Sequence, residues 1–146
     1  MEHAEGSIEI DAPLVDVMEV IEDYESYPDW ADVDAVEVRE RGEGGRATEV
    51  FFAVDVPVLG TASYVLRYQY APGDTGVSWT TKEARGTVRE IRGEYLLDER
   101  DDGTTKVTYR LGVELGVLVP GFIRTEGASR VIENALERLK RRVERG

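Results

Sequence analysis

Rings with a polar tip are the side chains of this sequence best placed to do chemistry. Tyr64, Tyr68 and Tyr70 alternate with Val65, Arg67 and Gln69, so three phenols share one face of an extended segment. Trp79, Tyr95 and Tyr109 hold the same parity in later alternating runs, with Phe52, Leu66 and Leu111 beside them. A phenol offers an apolar ring and a hydrogen-bonding hydroxyl, which suits a flat, mostly apolar molecule carrying a few oxygens. The competing reading is a filled core in which each hydroxyl meets a backbone partner. That holds readily for one tyrosine and less readily for all of them, because each buried hydroxyl needs its own partner. Removing about 300 Å² of apolar ligand surface from water contributes about 7 kcal/mol, of which association entropy takes back several. Shape and one or two polar anchors then suffice for micromolar binding.

Other chemistries find little support. His3 is the sole histidine and is expected at a frayed N-terminus, which argues against a Ser-His-Asp arrangement. With no cysteine there is no disulfide, thiol nucleophile or Cys-based metal site. The acidic runs Asp29, Asp32, Asp34 and Asp98, Glu99, Asp101, Asp102 lack calcium-loop spacing and read as solvated loop charge. Gly42 to Gly45 is a turn without a following phosphate-loop Lys-Ser/Thr pair. No metal, no cofactor and no catalytic residue is therefore assigned. The net charge of −12 repels phosphate backbones and anionic lipid, against general nucleic-acid binding. Arg138, Lys140, Arg141, Arg142 and Arg145 make the last helix basic at its end, as a helix dipole favours; an RNA- or partner-binding tail is the alternative.

The elements that must position the rings follow from periodicity. Ser7 to Asp11 alternates as a half-buried strand, with Ile8 and Ile10 on one face. Leu14, Val17, Met18 and Ile21 form a helical stripe, with Pro13 suited to its first turn. Pro28 is expected to end any short second helix. Six more strands run through Val36–Val38, Val50–Val56, Tyr64–Tyr70, Val77–Thr81, Ile91–Leu97 and Val107–Leu115, separated by Gly-, Pro- and Asp-bearing turns. Short connections favour sequential antiparallel pairing, and Gly93 inside a strand points to a bulge or sharp bend. From about Pro120 to Arg145, Ile123, Gly127 or Ala128, Val131, Ile132, Ala135, Leu136, Leu139 and Val143 make the inward stripe of a helix roughly 37 Å long, able to lie across the concave face of the sheet. At 146 residues the chain reads as one domain, 1–146, burying roughly 70% of its unfolded surface. No apolar run is long enough to span a membrane, and the first residues lack signal-peptide blocks, so a cytoplasmic location is expected.

The order of these segments resembles the START-like, helix-grip superfamily that includes the polyketide cyclase/dehydrase and coenzyme Q-binding groups. The likeness rests on Ile8-Glu9-Ile10-Asp11-Ala12-Pro13, Tyr27-Pro28-Asp29-Trp30, Gly93-Glu94-Tyr95-Leu96-Leu97, Asp102-Gly103-Thr104-Thr105-Lys106-Val107-Thr108-Tyr109 and the long closing helix. It implies an α+β fold in which a curved seven-stranded antiparallel sheet wraps around the C-terminal helix, with one or two short helices between strands 1 and 2. It also implies an apolar ligand such as a lipid, quinone or polyketide. The expected ligand-binding residues are Phe52, Tyr64, Leu66, Tyr68, Trp79, Tyr95, Tyr109, Leu111, Val131 and Ile132. The apolar loops Val56 to Gly60 and Gly116 to Phe122 place Leu59, Leu118 and Phe122 at a cavity mouth with Trp30. Three functions stay open: a binding or carrier protein, monomeric or weakly dimeric; a cyclase or dehydrase that folds a poly-β-ketone and stabilises its enolate; and a protein-interaction module without ligand.

Overall fold

The structure is a computed structural model that describes residues 1–56, 59–116 and 121–145, with side chains for all of these except 121–125. Strand β1 (Glu2–Ile10) starts earlier than the sequence expectation, because Ala4, Gly6 and Ile8 continue the inward parity. His3 is thus no frayed terminal residue: it lies in the ladder opposite Gly112. Helix α1 (Leu14–Glu22) buries Val17, Met18 and Ile21, with Pro13 as its extended N-cap rather than in its first turn. Glu99 Oε1 accepts the Leu14 N–H at 2.6 Å, satisfying one of the open donors at that helix end. A 3-10 turn at Tyr24–Ser26 leads into α2 (Tyr27–Trp30). Pro28 opens this short helix instead of ending it, since a first-turn residue needs no N–H and proline's fixed φ is already helical.

The remaining elements are β2 (Ala35–Arg41), β3 (Ala47–Val56), β4 (Gly60–Tyr70), β5 (Gly76–Gly86), β6 (Val88–Glu99), β7 (Thr105–Leu115) and α3 (Gly121–Arg145). All seven strands form one antiparallel sheet in the order β1-β7-β6-β5-β4-β3-β2. Strands β2 to β7 pair in succession, as short turns require, and β1 closes against β7. The α1–α2 segment therefore carries the chain from one sheet edge to the other.

Register shifts leave an extra residue at Arg39 in β2, Thr48 in β3, Lys82 in β5 and Arg89 in β6, and the strands bend there. Gly93 is not one of them. It stays in step, opposite Trp79 and Leu111, and its missing side chain instead admits the indole: a Cβ there would stand 2.7 Å from Trp79 Cζ2 and 2.6 Å from the Arg110 carbonyl oxygen. The β5–β6 ladder pairs Gly76–Trp79 with Gly93–Leu96 and then opens. Beyond it, the Thr81 hydroxyl takes the place of a rung, accepting the Ile91 N–H at 2.7 Å and donating to the Ile91 carbonyl.

Helix α3 packs chiefly along β1, then against β7, α1 and α2, rather than across the whole concave face. Gly6 explains the close approach: a Cβ there would lie 2.7 Å from Ile132 Cγ2. The buried stripe is Ala128, Ile132, Leu136 and Leu139, flanked by Ala135 and Val143. Val131 corrects the sequence expectation. It is 49% exposed, because the helical step from Ile132 carries it about 100° away from the core.

Candidate ligand-binding site

With α3 seated over β1, aromatic side chains cover the inner face of the middle strands. Antiparallel register brings them together in pairs: Phe52 opposite Tyr64, Tyr68 opposite Trp79, and Tyr95 opposite Tyr109. The rings then join into one band. Phe52 and Tyr64 stand 5.8 Å apart, Tyr68 and Trp79 5.8 Å, Trp79 and Tyr95 5.4 Å, and Tyr95 and Tyr109 4.6 Å. Tyr24 continues the band at 4.6 Å from Tyr68, and Tyr27 lies 5.9 Å from Phe52 and 5.1 Å from Trp30.

The seven phenols divide by their hydroxyls. Tyr70 donates to the Ala47 carbonyl at 2.7 Å, Tyr24 meets Tyr70 at 3.0 Å, and Tyr27 donates to the Ile21 carbonyl. These three tie helices and turn to the sheet, and Arg46 lies 4.1 Å over the Tyr70 ring while pairing with Glu22 and Asp74. The hydroxyls of Tyr64, Tyr68, Tyr95 and Tyr109 have no hydrogen-bond partner among the described residues. They are not sealed in either, for the enclosed side-chain polar atoms without a partner among those residues are Trp30 Nε1 and Thr87 Oγ1. Tyr64 and Tyr95 keep part of their surface open, whereas Tyr68 and Tyr109 are nearly covered.

Burial away from water raises all four of these phenols, Tyr64 to about 12 and Tyr68, Tyr95 and Tyr109 beyond the ordinary range. Each is a neutral hydroxyl at physiological pH. After burial, the next influences on Tyr68 are the hydroxyls of Tyr27, Tyr64, Tyr95 and Tyr109, and those on Tyr109 are Tyr95 and Tyr64. Phenols from β4, β6 and β7 thus converge on common ground.

The family described as polyketide cyclase / dehydrase and lipid transport matches residues 1–144. The chain belongs to this family. Its backbone superposes on a START superfamily protein from Mycobacterium smegmatis with a TM-score of 0.88 at 18% identity, over 99% of each chain. The Zhui aromatase/cyclase from Streptomyces sp. R1128 gives 0.75 at 20% identity, covering 99% of this chain and 94% of that one. A STAR-related lipid transfer protein from Xanthomonas axonopodis gives 0.72 at 20% identity, covering 97% and 85%. No curated protein matches the chain by sequence. The helix-grip architecture of these polyketide cyclase / dehydrase and lipid transport proteins is a hydrophobic ligand-binding fold.

Seen as a member of that family, the chain places most of the sequence-predicted residues together. Phe52, Tyr64, Leu66, Tyr68, Trp79, Tyr95, Tyr109, Leu111 and Ile132 meet in one core cluster or pack directly on it. Val131 does not join them. Trp30 is half-buried, and its carbonyl accepts from Arg138 of α3 at 3.4 Å. Leu59 is half-buried in the β3–β4 turn, its N–H on the Val56 carbonyl. Leu118 and the side chains of Phe122 and Arg124 lie outside the described residues. Sequence reasoning missed Tyr24 and Tyr27 as members of the band. Their three-residue separation was the available signal, since it puts two rings on one helical face.

Two open grooves, of about 500 and 180 Å³, lie on the opposite, convex face among residues such as Ser78, Arg92 and Glu94. Arg110, which lines the larger one, pairs with Glu5 and Glu94 of the same lining, and Arg92 beside it pairs with Glu90. No group of acidic or histidine side chains among the described residues is arranged to hold a metal. No helix among them is long and apolar enough to cross a membrane.

Proposed function

We propose that the protein binds and carries a flat, mostly apolar small molecule bearing oxygen substituents, such as a quinone, a lipid or a polyketide-like compound. The ligand lies between the aromatic face of β3–β7 and α3. One observation carries this reading: Tyr64, Tyr68, Tyr95 and Tyr109 converge with raised pKa values and with hydroxyls unpartnered among the described residues. Hydroxyls that stay accessible and have no protein partner among the described residues are free to donate to the acceptor oxygens of a ligand. The ring faces of Trp79 and Phe52 provide the apolar walls.

Carriage is preferred to turnover on chemical grounds. An aldol cyclisation needs a base for the α-proton and a cation or donor set for the enolate. The aromatic residues of β3–β7 offer donors, the carboxylate that shares their parity at the end of β6, Glu99, is taken up by the Leu14 N–H, and a phenol with a raised pKa is a weak acid and rarely a base at neutral pH. Native mass spectrometry of freshly purified protein, followed by solvent extraction, is the first test. A bound quinone, lipid or polyketide-like mass is expected. A protein that arrives empty and leaves its tryptophan emission unchanged by a panel of polycyclic quinones refutes carriage, and turnover of a poly-β-ketone mimic would replace it with catalysis.

A further inference from the structure

The ligand-binding reading leaves open which way the molecule lies and what it bears besides oxygens, and a gradient of burial along the strands answers both. We infer that the ligand is an amphiphile, a ring with acceptor oxygens that bears an apolar chain, held ring inward with the chain running past Ile91, Val113 and Leu115 to the open end of the sheet. The inference rests on the carrier reading and narrows it from flat oxygenated molecules to those with an apolar extension on one side.

The inner face is sealed at one end and accessible at the other. The segment around α1 is tied to the sealed end: the Leu14 N–H donates to Glu99, the Thr105 hydroxyl donates to the Ala12 carbonyl, and Tyr24 meets Tyr70. Val50, Val77, Leu97 and Val107, on four different strands, are each 5% exposed or less there. Toward the other end the same parity loses its cover. Val54 on β3, Tyr64 on β4, Ile91 on β6 and Val113 with Leu115 on β7 are all half-buried. Neighbouring strands run in opposite directions, so this is no fraying of strand starts or strand ends. Register gathers the half-buried residues at one edge of the inner face, with Val54 opposite Ala62, Tyr64 opposite Ala84 and Ile91 opposite Val113.

The phenols lie on the sealed side of this apolar stretch. Tyr68 shares a row with Trp79, Gly93 and Leu111, and Tyr95 opposite Tyr109 stands one row deeper. Ile91 and Val113 form the next row outward, and both pack on the core cluster that holds the rings. A ring whose oxygens accept from the deeper hydroxyls therefore turns its far side to Ile91 and Val113. Thr81, in the same stretch, has its hydroxyl engaged by the backbone of Ile91. Charge begins at the margin, where Glu2 opens β1 opposite Val113 and Arg89 stands exposed as the extra residue of β6. From Leu111 to Leu115 the wall is four residues long, about 13 Å. A chain along it removes its own surface and that of the wall from water.

The test uses the full chain and 1,4-naphthoquinones carrying a methyl, butyl, octyl or dodecyl group at carbon 2, read by quenching of tryptophan emission and by calorimetry. Affinity is expected to rise about twofold per methylene up to octyl, half the free energy of full burial because the wall is half-open. It should level off between octyl and dodecyl, where the chain passes Leu115. Tyr109→Phe should weaken every member by the same several-fold factor. The nearly isosteric Val113→Thr should weaken the octyl compound several-fold and leave the methyl compound within about twofold. On the unsubstituted protein, a nitroxide ending the octyl chain should broaden the methyl resonances of Ile91, Val113 and Leu115 more than those of Val50, Val77 and Val107. Affinity that ignores chain length, or stronger broadening at Val50, Val77 and Val107, overturns the orientation and leaves a ligand-binding protein in place. Failure of the whole series to bind removes the carrier reading itself.

Discussion

Replacing Gly93 with alanine puts a methyl group where the indole of Trp79 now rests. The new Cβ would lie 2.7 Å from Cζ2, and ordinary contact begins at 3.4 Å, so the ring must withdraw by about 0.7 Å. It has little room to do so: Trp79 is 7% exposed and is hemmed by Tyr68, Tyr95 and Tyr109 at 5.8, 5.4 and 5.8 Å. The Arg110 carbonyl, 2.6 Å from the same Cβ, belongs to a strand paired on both sides and cannot yield either. Overpacking of this kind costs about 1–3 kcal/mol. The lost flexibility of the unfolded chain returns about 0.4–1 kcal/mol. The net expectation is a destabilisation of about 1–2 kcal/mol in urea unfolding followed by tryptophan emission. The double variant Gly93→Ala with Trp79→Leu should recover part of the cost relative to the sum of the single changes, a coupling of at least about 0.5 kcal/mol. If Gly93→Ala is as stable as the natural protein, or the two changes simply add, the indole does not occupy the glycine's place and the account of the aromatic band is wrong.

Other outcomes follow from the same contacts. All seven phenols are raised by burial, so none should ionise near pH 10 in the folded protein when followed by ultraviolet absorbance. Since the unfolded chain releases those protons first, stability is full below pH 10 and falls as the pH rises above it, with the Tyr64 share exhausted past about 12; denaturant midpoints measured from pH 9 to 11.5 check the sign. Thr81→Val removes the hydroxyl that bridges both backbone groups of Ile91 and should cost about 1–3 kcal/mol, with faster hydrogen exchange at the Ile91 amide. Ile132→Ala, at a site 2% exposed, should cost about 2–5 kcal/mol. Val131→Ala, one residue away and 49% exposed, should stay within about 0.5 kcal/mol in the same thermal melts.

Alternation of apolar and polar residues was enough to place all seven strands, because side chains on a pleated strand must take opposite faces and only one face is dry. Tyr109, Leu111 and Val113 on β7 show how direct that reading is. The same parity correctly put Arg67 outside, where it pairs with Glu49. Local rules were weaker where one residue type serves two purposes. Pro28 both ends and begins helices, and Gly93 fits a bulge as well as a close approach; neighbours absent from the local sequence chose between them. Val131 and Ile132 are both apolar and adjacent, so the pattern alone could not say which faced inward until Gly6 fixed where the helix sits on β1.

The sequence by itself determined the helix-grip architecture and the shared face of the aromatic residues, since both follow from periods of two and 3.6 that hold regardless of partner. It could not determine which phenols would be spent on the protein and which left with their hydroxyls unpartnered. That division depends on distances across the fold: Tyr70 reaches the Ala47 carbonyl and Tyr27 the Ile21 carbonyl, while Tyr64, Tyr68, Tyr95 and Tyr109 meet one another ring to ring or through shared neighbours. Hydrogen bonds are decided within a few tenths of an ångström, and only the closed sheet with α3 laid against β1 sets them.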